Sequence, residues 1–118
     1  MGERETRFWE FPQNNSGGCF DGDPERGIGC VVIVEAHDAA EANARAEMIG
    51  LYFNGCNEGM DCPCCGDRWS EAWGDGDEVP SHYRSPVTPE NGPGWELPAF
   101  IHYLDGRVER IDAPKAQP

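Results

Sequence analysis

Basic residues are scarce in this sequence, and so are long apolar runs. With 9 Lys and Arg against 22 Asp and Glu, the formal net charge is -13. A phosphate backbone is repelled by such a surface, so no direct nucleic-acid partner is expected. No apolar stretch approaches the ~18 residues that a membrane-spanning helix needs. The start Met1-Gly2-Glu3-Arg4-Glu5 is charged where a secretory signal carries its apolar core, which predicts a soluble, intracellular protein. Apolar content is low, at 38% with a mean hydropathy of -0.65. Four Trp, five Phe and three Tyr nevertheless supply bulk for one modest core, so residues 1–118 read as a single domain. Internal repeats are missing. His37, His82 and His102 stand among cysteines and carboxylates without forming a nucleophile, base and orienter set, which leaves a metal-dependent enzyme as the third-ranked reading.

The elements follow from local pattern. Arg7 to Phe11 is aromatic-rich and reads as a first strand, Pro12 to Gly18 as loop, and Cys19-Phe20 as a short extended piece. Within Ile28 to Ala36, the run Val31-Val32-Ile33-Val34 is β-branched throughout, which predicts a central strand buried on both faces. Asp38 to Phe53 reads as the helix: Asp38 caps it, Glu41 completes a capping box, and Asn54-Gly55 supplies the stop. Ala42, Ala46, Ile49 and Phe53 share one face, and Glu41 and Arg45 are placed to pair on the other. Ala99 to Ile111 reads as a hairpin about a two-residue Asp105-Gly106 turn. That register sets Leu104 opposite Arg107, Tyr103 opposite Val108, and His102 opposite Glu109 as a surface pair.

The predicted fold is α+β: one helix packed on a mainly antiparallel sheet of four to five strands, with a Cys-rich metal-binding loop and a long Pro/Gly-rich arm. The core spans about 7–73 and 99–112, the irregular acidic arm 74–98 with Tyr83 and Trp95 to pin it, and a frayed tail 113–118.

The chemistry concentrates in Cys62-Pro63-Cys64-Cys65-Gly66-Asp67-Arg68-Trp69. Its first five residues form the Cys-Pro-x-Cys-Gly turn of zinc knuckles, in which two thiolates point at one ion and the glycine lets backbone amides face the sulfurs. Cys62 and Cys65 are the leading ligands, with Cys56 and Cys64 to complete a sulfur-rich structural zinc site. Cys19, Cys30 and His82 are further candidates. Free buried thiols and an iron–sulfur or redox role stay open as alternatives, although no helix opens at the Cys-x-x-Cys pair to activate a thiol. Asp67, Arg68 and Trp69 either support that site or anchor a ligand or partner. Asn14, Asn15 and Ser16, with the bare backbone of Gly17 and Gly18, offer an anion nest without the lysine of a phosphate loop. Together with Arg68 and Trp69 they form the candidate pocket for a small nucleotide-like ligand.

Three segments carry a resemblance: Gln13-Asn14-Asn15-Ser16-Gly17-Gly18, Tyr52-Phe53-Asn54-Gly55, and Asp61 to Trp69. Over roughly Arg7 to Trp73 the chain resembles a family of small uncharacterised bacteriophage proteins. The resemblance implies expression in the cytoplasm of an infected bacterial host and an accessory role. The leading expectation is a non-enzymatic, acidic, zinc-stabilised accessory protein that binds a host or defence protein. A module that binds or sequesters a nucleotide-like molecule is the alternative, and an exposed sheet edge would allow a homodimer.

Overall fold

A computed structural model describes residues 5–14, 23, 25–29, 31–57, 59, 66–82, 85–86 and 99–111, with the side chains of 82, 85 and 86 left aside. The expected strand at Cys19-Phe20 and the pinning residues Tyr83 and Trp95 lie outside them. Among the described residues the main sheet has four strands: β1 (Arg7–Pro12), β2 (Val31–Ala36), β5 (Ala99–His102) and β6 (Val108–Ile111), in the order β1-β2-β5-β6. Helix α1 (Ala39–Ile49) follows β2, and two-residue strands β3 (Ser81–His82) and β4 (Ser85–Pro86) pair with each other. The fold is α+β.

β2 is central and buried on both faces, as its β-branched run requires. Trp9, Phe11, Val32, Val34 and Ala36 turn to the helix side, where Ala42 and Ala46 let α1 approach closely. Val31 and Ile33 join Ala99, Ile101 and Ile111 in a second cluster on the opposite face. β2 runs antiparallel to β1 but parallel to β5. The sheet is therefore mixed, with two of its three pairings antiparallel, as expected for most of it, and one parallel, β5 entering beside β2 in the same direction.

The helix stops at Ile49, four residues before the expected end. Gly50 caps it, its N–H reaching the carbonyls of Ala46 and Glu47 at 3.2 Å each. Asn54, at φ 62°, instead opens a separate turn closed by Asn57 N–H to Asn54 O. The early stop lets Leu51 enter the core and stacks Phe53 on Phe11, with ring centroids 5.9 Å apart. At the other end the Asp38 carboxylate accepts the Glu41 N–H at 2.8 Å, as predicted. Glu41 reaches back to the N–H of His37 at 2.7 Å, one residue beyond the cap, and this bond holds its carboxyl below the ordinary range. The ring of His37 lies 2.9 Å from the same carboxylate. Arg45 does not need Glu41: its guanidinium donates to the Tyr103 carbonyl at 2.9 Å.

The hairpin register is shifted by one residue from the expected one. His102 faces Val108, Ile101 faces Glu109, and Tyr103 N–H donates to Arg107 O, enclosing the three-residue loop Leu104-Asp105-Gly106. Asp-Gly supports either loop length, and here only Gly106, at φ 97°, takes the left-handed region, which gives a three-residue turn. His102, which pairs with the buried Val34 of β2, is itself buried rather than on the surface, and its Nε2 donates to the Gly27 carbonyl at 2.7 Å.

Burial pushes the pKa of His102 below its ordinary 6.5, with the Gly27 bond opposing and the Arg45 charge assisting. The unfolded chain therefore takes up this proton at a higher pH than the folded one. The contribution of His102 to stability is complete above pH 6.5 and is lost as the pH falls through that value toward the folded pKa. Melting curves between about pH 7 and 5 are expected to show this decline, and H102Q, which keeps a donor near Gly27, to flatten it. Identical pH profiles for both proteins would contradict the assignment.

Candidate functional site

The segment after the Cys-rich loop lies along the outer edge of β1 and is fixed by contacts from four directions. Asn14 N–H donates to Arg68 O at 2.9 Å and Asn14 Nδ2 to Asp67 O at 3.2 Å. The buried Arg68 guanidinium donates to Gln13 Oε1 at 2.8 Å, and Gln13 Nε2 donates in turn to Gly29 O. Asn43 on α1 clamps Ala72 by both of its backbone polar groups, at 3.0 and 2.7 Å. Trp9 Nε1–H reaches Gly74 O at 3.3 Å, and Phe8 and Asp77 exchange two backbone bonds at 2.9 and 2.8 Å. Gly76 is required at that last crossing, since a Cβ there would come within 2.9 Å of the Trp9 ring and 3.0 Å of the Phe8 carbonyl oxygen.

Between this segment and β1 lies a cleft of about 570 Å³. One wall is Phe8, Trp9, Glu10 and Pro12; the other is Ser70 to Asp77. Four carboxylates, those of Glu10, Glu71, Asp75 and Asp77, line it, and among the described residues no Lys, Arg or His does. Trp73 stands at its edge with 85% of its surface exposed. An acidic cleft with an uncovered indole attracts cations and offers them an aromatic face.

The residues singled out in the sequence divide sharply. Cys62, Cys64, Cys65, Asn15 and Ser16 lie outside the described residues. Cys56 is half-buried, and its N–H donates to Asp67 Oδ1 at 2.9 Å, which ties it to the end of the Cys-Pro-Cys-Cys-Gly-Asp run. Gly66, next after Cys65, has φ 93°. Among the described residues no group of three or more His, Cys, Asp or Glu is arranged to hold a metal ion. Asn14 and Arg68 do come together, through internal bonds, and Trp69 is packed in the core at 3% exposure. The uncovered aromatic of this region is Trp73, which the sequence pattern did not single out. Its proximity to Asp75-Gly76-Asp77 in an irregular, turn-rich stretch was the available signal. Neither His37 nor His102 lines the cleft.

Among the described residues no helix is long and apolar enough to cross a membrane. Residues 6–118 match a family model described as a domain of unknown function (DUF7296). No curated protein and no solved structure matches the chain.

Proposed function

We propose that this chain, which belongs to the DUF7296 family, is a non-enzymatic accessory protein that acts by binding another protein. The observation that carries the reading is the cleft beside β1, lined by the carboxylates of Glu10, Glu71, Asp75 and Asp77 and by the exposed Trp73. Charged rims of this kind steer association and select partners of opposite sign. The resemblance to small bacteriophage proteins supplies the setting: the cytoplasm of an infected bacterium, with a host or defence protein as partner.

A structural zinc ion bound by Cys62 and Cys65, with Cys56 and Cys64 completing the set, belongs to the same proposal. The left-handed Gly66 suits the glycine of a knuckle turn, and Cys56 is bonded through its N–H to the carboxylate of Asp67, the residue after that glycine. Such an ion would brace the loop from which the outer wall of the cleft departs. The alternative of a nucleotide-like ligand draws no support from Asn14, Arg68 and Trp69, whose contacts described above are made within the fold.

Affinity capture from bacterial lysate, with the tagged full chain as bait, tests the reading. One partner retained at a fixed stoichiometry is the expected result. Repeated capture without a stoichiometric partner would remove it.

A further inference from the structure

We infer that Asn54 is a site of spontaneous modification, where the side-chain amide is exchanged for a carboxylate through a succinimide ring closed by the backbone nitrogen of Gly55. The Asn54-Gly55 pair does not stop α1, which ends at Gly50, and it does not line the cleft. Asn54 is exposed and, among the described residues, is the one non-glycine at positive φ, 62°. An L side chain is disfavoured there, so leaving that conformation relieves strain. Its turn is closed by Asn57 N–H to Asn54 O at 3.1 Å, with Gly59 N–H to Cys56 O at 3.4 Å beyond it. An exposed turn on so few bonds opens readily, which frees the otherwise buried Gly55 amide to react. Among the described residues neither the Asn54 carboxamide nor the Gly55 N–H has a hydrogen-bond partner. Gly55 also brings no Cβ to obstruct the closing ring.

The co-reactant is water. Once solvent base removes the Gly55 N–H proton, that nitrogen attacks Cγ of Asn54; the new N–Cγ bond replaces the Cγ–Nδ2 bond, and ammonia leaves with a proton from water. Water then opens the ring at either carbonyl. Opening at Cγ gives aspartate, whereas opening at the backbone carbonyl routes the chain through the side chain as isoaspartate, with one more methylene in the backbone. In sum, an amide and water become a carboxylate and ammonium, without oxidation or reduction. Both products add a negative charge two residues before Cys56, whose N–H donates to the Asp67 carboxylate at 2.9 Å. Like charge, and in isoaspartate the longer backbone, loosen that bond. Other asparagines are guarded. Asn43 is bonded to Ala72 at both ends of its carboxamide, at 3.0 and 2.7 Å, and Asn14 Nδ2 donates to Asp67 O at 3.2 Å. Asn57 is exposed but precedes Glu58, which has the Cβ that Gly55 lacks.

The test is peptide mapping by mass spectrometry of the full chain, incubated folded and in urea at mildly alkaline pH, with aspartate and isoaspartate peptides separated by chromatography. In the folded chain the Asn54 peptide is expected to lose its amide and gain both products while Asn14, Asn43 and Asn57 keep theirs. Conversion is expected to quicken as the pH rises, because the attacking nitrogen must first lose its proton. Conversion of Asn54 in urea but not in the folded chain would overturn the inference, as would faster conversion of Asn43 or Asn57. Aspartate formed without isoaspartate would do the same, since direct hydrolysis of the side chain leaves that mark. N54G suits the positive φ at this exposed position and carries no amide to exchange, and an equal starting melting temperature would verify its fold. Over the same incubation, hydrogen exchange at the Cys56 N–H is expected to speed up several-fold in wild type and to hold constant in N54G. Equal behaviour of the two would overturn the link to Cys56.

Discussion

Replacement of Trp69 by alanine is expected to cost about 3–5 kcal/mol of stability, a large share of what a domain of this size possesses. Trp69 is 3% exposed and belongs to the cluster that Trp9, Phe11, Val32 and the two helix alanines form on the inner face of the sheet. Truncation would leave a cavity that the surrounding sheet and helix can close only in part. It would also loosen the outer wall of the cleft, because Trp69 is where that wall is seated in the core. Urea denaturation is the measurement, with a lower midpoint and a nearly unchanged slope expected. Trp73→Ala, four residues on, should change stability by no more than about 0.5 kcal/mol, since its side chain is 85% exposed. Equal effects at the two tryptophans would mean that the segment from Gly66 to Asp77 is not packed as described.

A still larger effect is expected at the cysteines. The purified chain should carry one zinc, and C62S combined with C65S should lose both the metal and the cooperative melting transition. Structural zinc supplies an apparent ~10–16 kcal/mol in small metal-dependent folds, comparable to or above the whole stability of an ordinary domain. Even a fraction of that energy decides whether a 118-residue chain of 38% apolar content stays folded. Elemental mass spectrometry read alongside thermal denaturation separates the outcomes. Absence of metal in wild type, with a melting curve unchanged in the double variant, would dispose of the zinc knuckle.

What the sequence made legible was local. Four consecutive β-branched residues identified β2 and its double burial, and Asp38 with Glu41 marked where α1 begins, because both signals act within one strand or one turn. The end of α1 was misread because two stop signals compete, Gly50 and Asn54-Gly55, and only the burial of Leu51 and the stacking of Phe53 on Phe11 favour the earlier one. The hairpin slipped by one residue because Asp105-Gly106 suits both loop lengths, and the core position of His102 decides between them. The parallel pairing of β2 with β5 joins residues more than sixty positions apart, beyond any local pattern.

The cleft was hidden for a different reason. Residues 66–77 have neither the period of a strand nor that of a helix, so nothing in their order says that Trp69 turns inward and Trp73 outward. That division is imposed by distant partners: Asn43 holding Ala72, Gln13 holding Arg68, and Trp9 holding Gly74. The acidic excess itself was plain, whereas its concentration in one groove was not.

The most direct test of the account compares three baits in parallel capture from bacterial lysate: wild type, E71Q/D75N, and the charge-matched E25Q/E47Q. The account predicts one basic protein held stoichiometrically by wild type and by the control pair, and released by the cleft pair. Recovery of no stoichiometric partner by wild type, or of one held equally by all three baits, would contradict it.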